Sequence, residues 1–379
     1  MNRIHEESGQ GEHQGLRIAC TGRHSNPRRG TRYLRALLDE LGLLAAVHLT
    51  VEAESVCARI APRIAAAWAP GLDTTALGAV LDRECGRDAR HLEREVLFTL
   101  LLAPTRIDFP SIEEFESAIR IRLDTAESAT RTALRFDVDQ HRPEAYWERI
   151  DSGSFALRTG CSLVQALASA TQPPPDEDPY SFGCYRASEY VMLLAIAREA
   201  ARSHPDLKQR LRDRSTRRPI ESREFHEVLL REHGSFDEPL PPCWFVPGDR
   251  VWFRNPDGHS ADAEGFEGSW VIYVGDGLFS NFWKRDAPFT LDRKCVEIYH
   301  WRDATFAGAD GVLQVDETEV ARRVLATEAD PEALRGVLEQ MKRWRDPRGV
   351  YRDGGCMDRT RECARWVLPE SCDIAFSLN

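Results

Sequence analysis

Apolar residues recur at three- and four-residue intervals through the first hundred positions, marking helical stretches over 31–44, 51–68, 74–84 and 91–102. Pro70-Gly71 and Gly86 interrupt them, and a short strand fits the stretch 16–26 ahead of them. This spacing predicts a helical N-terminal region over 1–103, closed by Pro104. Ser111 then stands three residues before Glu114 at the head of a helical pattern running to about Phe136, a capping-box spacing. Two short runs, 146–150 and 154–158, flank Asp151-Ser152-Gly153 and predict a hairpin. A short helix over 161–170 and a loop containing Pro173-Pro174-Pro175 lead to Cys184, where a long apolar helix starts and runs to about Ala201. An arginine-rich polar connector, 203–219, precedes a second helical patch over 221–233.

From Pro247 the pattern changes to short aromatic and β-branched runs at 249–253, 269–274, 277–283 and 295–301. Asn-Pro-Asp-Gly and Gly-Asp-Gly turns separate the first of these runs. The tail returns to a helical pattern over 317–344 and reads as irregular from 347 to 379. The sequence therefore predicts an α+β protein: a core over 104–306, a helical N-terminal region over 1–103 and a helical C-terminal extension over 307–379.

Composition narrows the function classes. A chain of 379 residues with 42% hydrophobic and 29% charged positions can bury a sizeable core, and its net charge of −11 speaks against nucleic acid as a partner. The longest apolar runs fall well short of the roughly 20 residues of a membrane span, and Met1 to Gly15 has no apolar signal region. A cytoplasmic protein with no membrane partner is expected. The ten cysteines show no CxxC pair, which suits reduced thiols rather than a disulfide framework. Cys356, Cys363 and Cys372 have poor zinc spacing and no nearby histidine, so neither a metal nor a cofactor is expected. Lysine occurs only at 208, 284, 294 and 342, so the chain offers few amines of its own.

Cys184 is the leading candidate for chemistry. A thiol at a helix N-terminus meets unpaired backbone N–H groups and the positive end of the macrodipole, both of which favour the thiolate. A cysteine opening a central helix, followed by an antiparallel sheet packed on it, is the layout of papain-like cysteine enzymes, in which the strands carry the base and its orienting group.

Five ordered segments resemble the bacterial spore-coat type of protein-glutamine gamma-glutamyltransferase. They are Ile107-Asp108-Phe109-Pro110-Ser111-Ile112 with the following helix, Tyr146-Trp147-Glu148-Arg149 with Phe155-Ala156-Leu157-Arg158, and Phe182-Gly183-Cys184-Tyr185-Arg186-Ala187 at the nucleophile motif. The last two are the strand and turn from Pro247 to Asp257, and Gly268-Ser269-Trp270-Val271-Ile272-Tyr273-Val274-Gly275. The resemblance covers about 105–306. It implies a transglutaminase with a papain-like core: Cys184 attacks a protein glutamine, ammonia leaves, and a lysine amine resolves the thioester into an isopeptide bond. Backbone N–H groups at the helix start, that of Cys184 included, would be oxyanion donors.

The chain departs from the family pattern where that pattern carries its other polar groups. Gly183 replaces the glutamate before the nucleophile, Ser269 falls on the strand glutamate, and Asn281 or Phe282 on a histidine of the next strand. Glu267, His259 and His300 are the substitutes available as base. Three readings follow: an acyltransferase with a rebuilt base acting on a protein glutamine donor and lysine acceptor, a thiol hydrolase such as a glutamine deamidase, or a catalytically silent binding module.

Overall fold

The computed structural model describes residues 14–21, 26–136, 140–150, 154–174, 177–219, 222–346 and 354–376. The chain opens with β1 (Leu16–Ala19), α1 (Pro27–Glu40), β2 (Val47–Val51), β3 (Ser55–Ile60), α2 (Pro62–Trp68), α3 (Leu77–Cys85) and α4 (His91–Leu101). It continues through β4 (Ile107–Phe109), α5 (Ile112–Arg131), β5 (Trp147–Arg149), β6 (Phe155–Leu157), α6 (Leu163–Thr171), α7 (Cys184–Ser203), α8 (Pro205–Arg217) and α9 (Ser222–Leu229). Next come β7 (Leu230–His233), β8 (Arg250–Arg254), β9 (Gly268–Gly275), β10 (Leu278–Phe279), β11 (Phe289–Thr290) and α10 (Leu291–Trp301). The last elements are β12 (Thr305–Ala307), β13 (Leu313–Val315), α11 (Glu317–Glu328), α12 (Pro331–Met341) and β14 (Arg361–Ala364).

The N-terminal region mixes helix with sheet. Its four strands run in the order β2-β3-β1-β4, with β1 antiparallel to β3 and parallel to β4. The stretch 51–68, expected as one helix, divides into β3 and α2. Val56, Ala58 and Ile60 are buried while Arg59 is exposed, an alternation that fits a strand with one covered face. Pro62 then opens α2, where a missing N–H costs nothing.

A six-stranded sheet, order β11-β10-β9-β8-β14-β7, forms the second layer. Helix α7 packs against β9 on one side and α5 and α6 on others, which explains why nearly every side chain from Ala187 to Ala197 is buried. Helix α5 starts as the sequence predicts: the Ser111 hydroxyl accepts the Glu114 N–H at 3.0 Å. The Glu114 carboxylate, however, turns to the C-terminal segment, accepting the N–H groups of Val367 and Leu368 and the Ser371 hydroxyl. Arg122 of α5 donates to Asp249 at 2.7 Å in a buried pair that fixes the start of β8.

Four further expectations are corrected. The polar connector expected over 203–219 is helix α8, opened by Pro205 and burying Leu207 and Leu211. The run 295–301 is the end of helix α10, not a strand, because Leu291, Cys295 and Ile298 bury one helical face and the Thr290 hydroxyl accepts the Arg293 N–H. The patch 221–233 is helical only through α9 and ends as β7. The C-terminal segment, expected to be irregular, supplies β14 inside the sheet, paired with β7 and touching β8. The turn 151–153 lies outside the described residues, while β5 and β6 on either side of it pair as expected. No helix of the described residues is long and apolar enough to cross a membrane.

Candidate active site

Cys184 is the first residue of α7, preceded by Gly183 in extended conformation. The approach to it is braced by backbone. The Phe182 N–H donates to the Arg135 carbonyl at 3.0 Å, and the Arg135 N–H to the Tyr180 carbonyl at 3.0 Å. Buried Arg142 donates to the Ser181 carbonyl at 2.7 Å and lies 3.2 Å from the centre of the Phe182 ring. These contacts hold the loop so that the helix starts at the thiol.

Cys184 opens into a cavity of about 530 Å³, within the size range of small-molecule and side-chain sites. Phe136, Phe266, Trp270, Phe282, Trp283 and Phe289 give it an aromatic lining, and Ser269, Asn281, Lys294 and Glu297 supply polar groups. Burial holds the Cys184 thiol above its ordinary value, outweighing the backbone of Trp270, the charge of Lys294, the backbone of Tyr185 and the charge of Arg250, which pull it down, so the helix start alone does not favour the thiolate as the sequence suggests.

Arg250 anchors this wall. Its Nε donates to Ser188 Oγ of α7 at 2.8 Å, and its guanidinium lies 3.7 Å from the centre of the Trp270 ring and 4.6 Å from that of Tyr185. Nη1 pairs with Glu362 of β14. Glu362 also pairs with His226 Nδ1 at 2.8 Å. Burial works against ionisation of Glu362, yet the His226 hydrogen bond and the Arg250 charge hold it below the usual carboxylate range. The hydrogen bond to Glu362 raises His226 in turn.

The structure brings three of the expected site residues to the cavity: Cys184, Ser269 and Asn281. Asn281 is committed to its own loop, with Nδ2 donating to the Ala287 carbonyl at 2.9 Å and Oδ1 accepting the Lys284 N–H at 3.1 Å. Glu267 and His259 are exposed and are not among the residues lining the cavity. His300 is buried on α10 between Asp303 Oδ2 and Thr327 Oγ1, each 2.8 Å away, and is likewise not among those lining residues.

Among the polar residues of the lining that the sequence reading did not single out, Lys294 and Glu297 form an ion pair. Lys294 is only 3% exposed. Its Nζ lies 3.5 Å from Glu297 Oε1 and 3.8 Å from the centre of the Phe289 ring. The available signal was its rarity among four lysines, but reading α10 as a strand hid that Lys294 and Glu297 share a helical face.

Comparison with known proteins agrees with the motif reading. The pattern of the family described as Protein-glutamine gamma-glutamyltransferase matches residues 79–358. A protein-glutamine gamma-glutamyltransferase of Halalkalibacterium halodurans is 26% identical over 211 residues, covering 53% of this chain and 67% of that one. A solved transglutaminase from Geobacillus stearothermophilus, without its C-terminal extension, aligns with 18% identity and a TM-score of 0.36 over 56% of this chain and 98% of that one. The family match spans well over half of the sequence and takes in Cys184, β9 and α10; the chain belongs to the protein-glutamine gamma-glutamyltransferase family of acyltransferases.

Proposed function

We propose that the protein transfers the acyl group of a protein glutamine through a thioester on Cys184, within a papain-like core that spans 104–306 and borrows β14 from the C-terminal segment. The observation that carries this reading is the placement of the thiol: the first residue of α7, facing an aromatic cavity, in a chain of this family. Attack of the thiolate on the glutamine carboxamide forms the C–S bond, and the C–N bond breaks with loss of ammonia. An amine then attacks the thioester carbonyl, C–S breaks and an amide forms. N–H groups at the start of α7 are suited to the oxyanion, since no side chain of Gly183 caps them. The flat aromatic walls suit the methylene stem of a glutamine or lysine side chain.

The test is ammonia release from a glutamine-containing protein together with incorporation of a labelled amine. Wild type is expected to do both and to label at Cys184 with iodoacetamide. Cys184→Ala is expected to lose release by at least about 10³-fold. Wild-type protein that neither labels nor releases ammonia sinks the reading. Ammonia release without amine incorporation would point instead to a glutamine deamidase.

A further inference from the structure

The cavity lacks a carboxylate at either position where the family pattern places one. Gly183 has no side chain, and Ser269 is a hydroxyl. Acyl transfer nevertheless moves protons: the leaving nitrogen must gain one, and the attacking amine must lose one. Among the cavity residues Lys294 and Glu297 form an ion pair. They come from α10, an element that carries none of the segments resembling the family.

We propose that Lys294 is the acid–base partner of Cys184, held in place by Glu297. This rests on the glutamine-transfer reading above and supplies the group that reading leaves unnamed. Three observations converge on it. Lys294 shares the cavity with the thiol. It is buried, so its charge acts through a weakly screening medium. Its ammonium is steered by two fixed contacts, the Glu297 carboxylate and the Phe289 ring face. A nucleophile, a proton carrier and a third group that orients the carrier are the parts of a catalytic triad, here assembled from α7 and α10.

Lys294 as ammonium favours the Cys184 thiolate. When the C–N bond breaks, Lys294 gives its proton to the departing nitrogen, and ammonia leaves. The neutral Lys294 amine then takes a proton from the acceptor amine as that amine attacks the thioester. The C–S bond breaks and the thiolate is restored beside a recharged ammonium. Water can replace the amine in the second half without changing this sequence.

The charged groups around the pair come from several elements. Glu297 and Arg293 lie on α10, Lys284 on the loop after β10, Glu317 on α11, and Arg250 on β8 reaches toward the thiol. Of these, Glu297 is the one paired with Lys294, and Arg250 is committed to Glu362.

The experiment measures two things on the full-length protein: the pH profile of iodoacetamide alkylation at Cys184, and ammonia release. Lys294→Met is expected to shift the alkylation profile up by about 1–3 pH units and to slow ammonia release by about 10²–10⁴-fold. Lys294→Arg keeps the charge but gives up no proton at working pH, so alkylation stays near wild type while release falls. Because Lys294→Met leaves the half-buried Glu297 without its ion-pair partner, the double variant Lys294→Met/Glu297→Gln is made as well, and it is expected to match Lys294→Met in both readouts. Wild-type rates and profiles in both the single and the double variant overturn the inference while leaving glutamine transfer standing. Wild-type protein that alkylates at Cys184 without releasing ammonia overturns the parent reading, while the alkylation shift still reports whether Lys294 governs the thiolate.

Discussion

On the wall of the cavity that carries Cys184 a buried charge network centred on Arg250 joins three elements, whereas on the wall that carries Lys294 apolar packing between helices is joined only by local ion pairs and hydrogen bonds. On the first, Arg250 links α7 through Ser188, β9 through the Trp270 ring and β14 through Glu362. On the second, Leu291, Cys295 and Ile298 of α10 pack with Val320 and Val324 of α11 and Met341 of α12. Charge networks demand fixed geometry and fail when one partner is lost. Apolar packing tolerates substitution if volume is kept.

The difference is broken most directly at Glu362. Replacing it by Gln leaves Arg250 buried without its counter-charge. The expected cost is about 3–5 kcal/mol in urea unfolding, with a loss of Cys184 alkylation selectivity as Trp270 and Ser188 lose their common anchor. A cost below about 1 kcal/mol would mean that the pair behaves like a surface salt bridge and does not hold the wall.

The next largest effect concerns the far end of β9. Burial pushes the Glu95 carboxyl of α4 up to about 7, against hydrogen bonds from the Tyr273 hydroxyl and the Asp276 N–H, each at 2.8 Å. Asp276 also raises it, while His91, 2.9 Å from Asp276, lowers it. Between the ordinary value of 4.5 and about 7 the folded protein holds a proton that the unfolded chain has released. Stability therefore falls as pH rises through that window, and the penalty persists above it. Glu95→Gln removes the titration and is expected to flatten a slope worth roughly 3 kcal/mol. Urea midpoints of both proteins from pH 4 to pH 8, on the order of the window set by linkage, make the comparison; parallel curves would contradict it.

How much of this was legible depends on where the information lies. The thiol helix, β8 and β9 were readable because each is a continuous run with local punctuation, and the Ser111 cap was readable for the same reason. Strand β14 was not, since it gains its identity from pairing with β7, a segment some 130 residues away, as in Arg361 opposite His233. Helix α10 was misread because Cys295-Val296-Glu297-Ile298-Tyr299-His300-Trp301 is rich in strand-favouring side chains, while the face it buries is set by α11 and α12. That misreading placed His300 on a strand and left Lys294 outside the candidate site. The second wall was thus the less legible one, because tertiary packing overrode local preference there.

A volume test on the second wall has a smaller expected effect. Ile298 is fully buried in the cluster that holds α10. Ile298→Val removes one methylene and is expected to cost about 0.5–1.5 kcal/mol, with no change in the alkylation profile of Cys184. A shifted profile would show that the thiol senses small displacements of α10, and the two walls would then have to be treated as one rigid unit.

The smallest expected effect comes from giving back a carboxylate beside the thiol. A Cβ built on Gly183 meets no atom within 4 Å, and its backbone is extended, so Gly183→Glu fits without strain. An acidic group at a helix start is favourable by about 0.3–1 kcal/mol, so stability should hold or rise slightly. The same charge opposes ionisation of the neighbouring thiol, and alkylation at neutral pH should slow by roughly two- to tenfold, the like-charge effect on a thiolate. If ammonia release instead rises and no longer depends on Lys294, the carboxylate has taken over proton transfer. The first wall would then be shown to accept the family arrangement that this sequence has given up.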